Sequence, residues 1–226
     1  MRPLDGGRVS TSRIGEVARP QGVNSHITID PAILYLGTPV VLLSTTNEDG
    51  TPNLAPISSA FWMGHTATLG LGLASHSLAN LRRTRELVIN LPSHHQVDAV
   101  DRLALTTGAE QVNAWKSAAG YRHHKDKFGL AGLTPSRSDV VTAPRAAECP
   151  VALEACVEAI HETDHALVMA QVVRVHVHPS VKAPGHANRV DPDAWRPLIM
   201  SFQRFYGLGE ELLPSRLASI DEEHYR

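Results

Sequence analysis

Residues 151–178 restrict the fold of this chain more than any other stretch. Val151, Leu153, Ala155, Val157 and Ala159 alternate with Glu154, Cys156 and Glu158. A turn at Thr163-Asp164 leads into Ala166-Leu167-Val168-Met169-Ala170-Gln171-Val172-Val173-Arg174-Val175. A period of two on both sides of a turn predicts an antiparallel hairpin.

The rest of the chain has the same texture. Val40 to Thr46 is apolar and β-branched, and Asn47-Glu48-Asp49-Gly50 predicts a tight turn. Pro52 to Trp62 reads as the returning strand, although Pro52 and Pro56 confine it to an edge, a start or a bulge. Thr66 to Leu73 reads as a third strand, and its Gly70 and Gly72 predict a close approach to the backbone. Ser75 then caps a helix with Leu78, Leu81 and Leu87 on one stripe, and Leu87 to Leu91 is a further strand ended by Pro92. Residues 93–127 are polar and rich in histidine, with a helical stretch from Val97 to Leu105. Many short strands with no βαβ alternation predict a mainly β fold, an antiparallel barrel with helical decorations. Residues 1–25 read as an arm, 26–180 as the barrel domain, and 181–226 as a C-terminal helical extension.

Charge and cysteine content exclude several functions. With 21 Lys+Arg against 23 Asp+Glu the net charge is −2, so no basic field favours nucleic acid or an anionic membrane surface. No apolar run approaches the ~20 residues needed to span a bilayer, and no signal-like segment opens the chain. Cys149 and Cys156 have neither a metal-knuckle nor a disulfide spacing, so they read as reduced thiols in a cytoplasmic protein.

His161-Glu162-Thr163-Asp164-His165 matches the H-E-x-x-H pattern, which binds zinc when a helix sets both imidazoles on one face. The flanks here alternate with period two, so the five residues fall at a hairpin tip. A solvated turn is the better reading, and no metal is expected. The pairs His94-His95 and His123-His124 and the two-apart His176 and His178 also read as surface histidines. There is no G-x-S-x-G, G-x-G-x-x-G or G-x-x-x-x-G-K-[ST] sequence, so nothing supports a serine nucleophile or a Rossmann or P-loop nucleotide site.

Three segments carry candidate chemistry: Asp49 to Ala60, Leu71 to Ser77, and Asn80 to Thr84. The first is a proline-interrupted strand with free backbone groups and hydroxyls. The second brings serine hydroxyls and unpaired N–H groups to a helix start, where anions bind readily. Arg82 and Arg83 add positive charge. A flat, phosphate-bearing ligand would suit this surface, but so would simple helix capping with solvated arginines. The residues alone leave both readings open.

The runs PVVLLSTTNEDGTPNLAPISS (39–59) and GLASHSLANLRRTRELVINLPS (72–93) resemble the flavin reductase-like family with the FMN-binding split barrel. The later DHALVMAQVVRVHVH looks like that family's closing strand, with Thr163 in place of its usual glycine. Trp195-Arg196-Pro197-Leu198 and Arg204 to Gly209 look like its tail. The resemblance implies a six-stranded antiparallel Greek-key split barrel, a homodimer, and noncovalent FMN near the dimer interface. It places Asn53, Ala55, Pro56, Ile57, Ser58 and Ser59 along the isoalloxazine and ribityl chain. It places Ala74, Ser75, His76 and Ser77 at the phosphate, supported by Arg83 or Thr84. Family members often carry Lys or Arg where His76 stands, and a neutral His there weakens phosphate binding as pH rises.

The function so implied is an NAD(P)H-dependent flavin reductase, with hydride passing from nicotinamide to flavin by proximity and no catalytic side chain required. Its electrons would go on to a monooxygenase or another acceptor. A second reading is an FMN electron carrier without NAD(P)H activity of its own. A third, a zinc hydrolase built on His161 and His165, predicts bound metal and no flavin.

Overall fold

The computed structural model describes residues 26–221 and His224. The expected arm at 1–25 lies outside them. Two compact units are distinguished, Met1–Ala32 and Ile33–Arg226. The described part of the first, 26–32, is exposed chain without regular structure.

The second unit begins with β1 Leu36–Pro39, β2 Val41–Thr46, β3 Pro52–Ile57, β4 Ala60–Met63 and β5 Thr66–Leu71. Helix α1 His76–Thr84, strand β6 Glu86–Leu91 and helix α2 Val97–Leu103 follow. The polar middle of the chain supplies short elements: β7 Thr106–Thr107, α3 Ala114–Ala118, β8 Arg122–His123, α4 Lys127–Ala131, β9 Pro135–Ser136 and β10 Arg145–Ala146. The long hairpin β11 Val151–Glu162 and β12 Ala166–Val177 comes next. The chain ends with α5 Pro192–Trp195, β13 Leu198–Ser201 and β14 Arg204–Gly207.

Seven strands form one antiparallel sheet in the order β3-β2-β6-β11-β12-β5-β4. Its two edge strands, β3 and β4, are joined by Ser58 and Ser59 alone. Two extended residues span only about 7 Å. The sheet must therefore curl until its edges nearly meet, which makes it a split barrel. Counting β3 and β4 as one strand broken at the seam gives the expected six.

The edge position of β3 explains how it tolerates Pro52 and Pro56, which lack the N–H a central strand needs. At the seam Gly70 N donates to Ser59 O at 2.8 Å, and a Cβ on Gly70 would lie 2.9 Å from Ser59 Cβ. This is the close approach that the strand glycine predicted; Gly72, by contrast, has open space around it. Gly70→Ala should cost about 1–3 kcal/mol through overpacking, measurable as a lowered denaturation midpoint.

The interior is filled from alternate positions. Val41 and Leu43 of β2, Leu87, Ile89 and Leu91 of β6, and Val151, Leu153, Ala155 and Val157 of β11 form one cluster with Leu78 and Leu81 of α1. Helix α1 thereby stoppers one end of the barrel. Strand β2 is buried on both faces, because Leu42 packs outward with Leu54 against Val100 and Leu103 of α2 and Phe128 of α4. That is why its sequence is a continuous apolar run rather than an alternating one.

The C-terminal region differs from expectation. Among the described residues it has no helix beyond the single turn of α5 and two short 3-10 turns, and β13 pairs with both β14 and β1. Leu198 lies in the same cluster as Leu42 and Phe128, so this hairpin is built into the barrel wall. Its tight turn uses Phe202 at φ 45° and Gln203 at φ 61°, where Gly or Asn would ordinarily signal a hairpin. The pairing partner of β13 is β1, far away in sequence, so local pattern carried no warning.

His161 and Glu162 end β11, and His165 stands in the turn before β12, so the H-E-x-x-H residues form a hairpin tip as read. Glu162 pairs there with Arg82 at 2.8 Å. Both cysteines are free thiols; burial pushes Cys149 up to about 12, and burial with the nearby Glu86 raises Cys156. No helix among the described residues is long and apolar enough to cross a membrane.

Candidate functional site at the start of α1

The β2–β3 turn, which closes through Asn47 with Gly50 at φ 79°, stands over the first turn of α1. Thr45 and Asn53 face each other across the two strands. Asn53 Nδ2 donates to Thr45 Oγ1 and to Ser77 Oγ, both at 3.0 Å. Asn80 Nδ2, one turn further along α1, donates to the same Thr45 Oγ1 and to Asn47 Oδ1, again at 3.0 Å. His76 Nε2 lies 2.8 Å from Asn47 Oδ1, an atom that can only accept, so the ring carries its proton on Nε2. This buried ladder fixes the helix start against the hairpin.

Ser75 is the N-cap, its hydroxyl accepting weakly from Leu78 N at 3.4 Å. The N–H groups of the first turn that the cap leaves free are the positive end of the helix dipole. Positive side chains collect around them. Lys116 of α3 reaches over to donate to Ala74 O at 2.9 Å. His76 is half-buried, and burial first, then the charges of Lys127, His123, Lys116 and Arg83, depress its protonation.

The sequence-predicted residues fall into two groups. Asn53, Ser75, His76 and Ser77 are brought together at this rim, beside the exposed Ala74, and Ala55 and Ile57 continue the face of Asn53 along β3. Ile57 also packs against the barrel core, Pro56 lies on the opposite face, and Ser58 and Ser59 form the seam. Arg83 and Thr84 stand in the last turn of α1, about 12 Å along the axis from Ser75. There Arg83 donates to Thr46 O, and the Thr84 hydroxyl serves Asn80 O and Glu86 O.

Four contributors were missed: Gly108, Lys116, His123 and Lys127, all from the polar middle segment. The parallel pair β7–β8 brings this segment over the helix start. A Cβ on Gly108 would run into the His76 ring and lie 2.7 Å from Asn53 Oδ1, so only glycine lets the strand pass. The surface reading of His123 and His124 is corrected: both are half-buried, each with a buried Nδ1 that has no partner. One local signal existed for Lys127, since a lysine at the first position of a helix opposes the helix dipole.

The other histidine outcome is His176. Its Nε2 lies 2.6 Å from Glu154 Oε1, an oxygen that also accepts from Asp139 N at 2.8 Å. Glu154 Oε2 accepts from Val140 N and Val141 N at 2.6 and 3.1 Å. Asp139 completes a cluster of metal-ligand type, but each Glu154 oxygen already accepts two hydrogen bonds. The group is a clasp tying the 139–141 loop to the hairpin. His178 instead caps the following 3-10 turn.

At the α1 start the arrangement offers N–H donors and cations, with no carboxylate among the described residues bonded to them, so its chemistry is that of holding an anion. Two clefts of about 440 Å³ lie elsewhere, one beside His94 and Arg196 and one beside His186 and Ile220, and neither includes a residue of this network.

Fold and site together define a split β-barrel that gathers cations and donors around one helix start on its rim. Residues 34–209 match the model of the flavin reductase-like domain, and the chain belongs to that family. The uncharacterized protein YdfE of Bacillus subtilis (strain 168) is 38% identical over 188 residues, covering 81% of this chain and 90% of that protein. Flavoredoxin of Desulfovibrio vulgaris (Miyazaki F) superposes with a TM-score of 0.70 at 22% identity, covering 86% of this chain and all of that one. The FMN-binding domain of a flavin reductase-like enzyme from Shewanella baltica OS155 gives 0.60 at 20% identity, covering 79% of this chain and 90% of that one. The family is flavin-binding, and some of its members are oxidoreductases.

Proposed function

We propose that this protein holds FMN noncovalently and reduces it with NAD(P)H. The observation that carries the reading is the cation- and donor-lined start of α1 beside strand β3, Pro52–Ile57, in a member of a flavin-binding family. The fit to FMN is chemical. A dianionic phosphate needs N–H donors and cations, which the helix start, Ser75 and Lys116 supply. The orphaned acceptor Asn53 Oδ1 is left for a ribityl hydroxyl or ring N–H.

In this reading Asn53, Ala55, Pro56, Ile57, Ser58 and Ser59 lie along the ring and ribityl chain, and Ala74, Ser75, His76 and Ser77 hold the phosphate. Arg83, whose charge is felt at His76, supports the phosphate from the far end of α1 together with Lys116 and its neighbours, and Thr84 stands beside it. When bound, the flavin supplies the redox chemistry by accepting hydride from the reduced nicotinamide nucleotide. The chain's own contribution is to fix the ring against β3, screen it from water and neutralise the phosphate. No side chain has to move a proton.

A second copy of the chain is part of the proposal. Strands β4 and β12 expose Phe61, Met63 and Leu167, apolar side chains of the kind that mark a protein interface. The alternative reading, an FMN electron carrier reduced by a partner protein, is favoured by the likeness to a flavoredoxin. Either reading leaves the final acceptor, a monooxygenase or another protein, to be identified.

The test is the visible spectrum of the purified protein after FMN is added and the excess removed. About one flavin per chain is expected, and a colourless protein would overturn the reading. Bleaching of the bound flavin by NADH or NADPH then separates reductase from carrier. Replacing Ser75 and Ser77 together by Ala should weaken FMN binding, each lost bond to a charged group being worth about 1.5–3 kcal/mol. Unchanged affinity in a flavin titration would remove the helix start from the site.

A further inference from the structure

Lys127 is the first residue of α4 and is 2% exposed. Among the described residues its ammonium has no carboxylate within ion-pair distance and no hydrogen-bond acceptor. The adjacent acid is engaged elsewhere, Asp126 capping Gly129 N at 2.8 Å, and Asp49 pairs with Lys125 at 3.4 Å. A buried, unpaired cation is costly, so a site that keeps one is built for a counter-charge from outside. The charges felt alongside Lys127 at His76 are those of His123, Lys116 and Arg83, and none is acidic. Two independent features accompany it: the positive end of α1, and the partnerless buried Nδ1 atom of His123, which follows Arg122 on the strand paired with Thr106 and Thr107 beside Gly108.

We propose that Lys127 is the receptor for the phosphate monoester of the flavin, acting with the N-terminus of α1, and that the ligand supplies the counter-charge the protein lacks. The inference deepens the flavin-site reading and rests on it.

One consequence is a proton taken up on binding. Burial, then the neighbouring Lys116, pushes Lys127 down to about 8, so near that pH part of the empty protein carries a neutral amine. A dianion favours the ammonium and raises its pKa in the complex. Binding is therefore strongest below pH 8 and weakens as pH rises through it. Over pH 7–9 the phosphate stays dianionic, its second pKa being roughly 6. Burial and the neighbouring cations hold His76 below its ordinary value in the empty protein. Lys116, also lowered by burial, is separated from Lys127 by substitution.

The experiment is a fluorescence titration of the full chain with FMN and with riboflavin, which has the same ring and ribityl chain but no phosphate. It is run at pH 7 and pH 9 on the parent and on Lys127→Met. The parent should prefer FMN at pH 7 by roughly thirtyfold, the order of a charge-assisted contact, and less at pH 9. Lys127→Met should lose about tenfold in FMN affinity, keep its riboflavin affinity within about twofold, and lose the pH dependence. Equal changes for the two ligands, or none, would overturn the proposal. If Lys127→Met does not fold, the parent decides: an FMN-to-riboflavin ratio that is flat from pH 7 to 9 overturns it, and a falling ratio supports it. If the parent binds neither flavin, the flavin-site reading fails separately. Inorganic phosphate is then the probe, and a thermal shift in the parent that Lys127→Met abolishes still supports an anion receptor, while no shift removes it.

Discussion

Glu154→Ala should unfold at a much lower denaturant concentration than the parent, with a loss of about 3–5 kcal/mol. The carboxylate is fully buried and gathers three backbone N–H groups of the 139–141 loop and the ring of His176. Removing it strands four donors. His176→Ala should cost less, about 1–3 kcal/mol, because the three backbone bonds survive. Equal losses in the two variants would show that the carboxylate is not the hub.

The same residue sets an acid limit. Burial alone would raise the Glu154 pKa, but the bonds from Asp139, His176, Val140 and Val141 together outweigh it and hold the group at about 2, against 4.5 for a free carboxyl. Because the folded-state value is the lower one, its contribution is complete above pH 4.5 and is lost as pH falls towards 2. Parent stability should decline through that window, and Glu154→Ala should decline less steeply. Parallel acid titrations of the two would contradict the clasp.

The second large effect is expected at Gly108. A methyl group there meets the His76 ring and Asn53 Oδ1, so Gly108→Ala must displace the residues that fix the helix start. Overpacking of this kind costs about 1–3 kcal/mol, and carried into binding it weakens FMN by roughly fivefold to over a hundredfold. Gly72→Ala is the control: it lies next to the same rim but has nothing within 4 Å of the added methyl. Matching flavin affinities in the two variants would show that the contact with His76 and Asn53 does not shape the site.

The sequence was most legible where local chemistry and tertiary context agreed. The alternation of 151–178 predicted β11 and β12, and the period-two flanks of His161 and His165 separated a hairpin tip from a zinc helix. Pro52 and Pro56 marked an edge strand, and Gly70 a close approach, both for backbone reasons that hold whatever surrounds them. Failure came where the partner is distant. Strands β13 and β14 were read as helix because their register is set by β1 and their turn has Phe202 and Gln203 at positive φ. His176 was read as a surface residue because its partner, Glu154, comes from the neighbouring strand.

Half of the candidate site was legible for the same reason. The cap at Ser75 and the residues after it form a continuous signal, because a helix start is a local structure. Gly108, Lys116, His123 and Lys127 form none, because they come from short elements whose function depends on where β7 and β8 lay them. The sequence by itself determined the strands, the turns, the capped helix and the family, all of which rest on near-neighbour sterics and patterned burial. Only the tertiary structure decided that Ser58 and Ser59 close the barrel and that Glu154 is a clasp. It alone also buried an unpaired lysine beside a helix start, because desolvation and charge pairing depend on what surrounds a group in space.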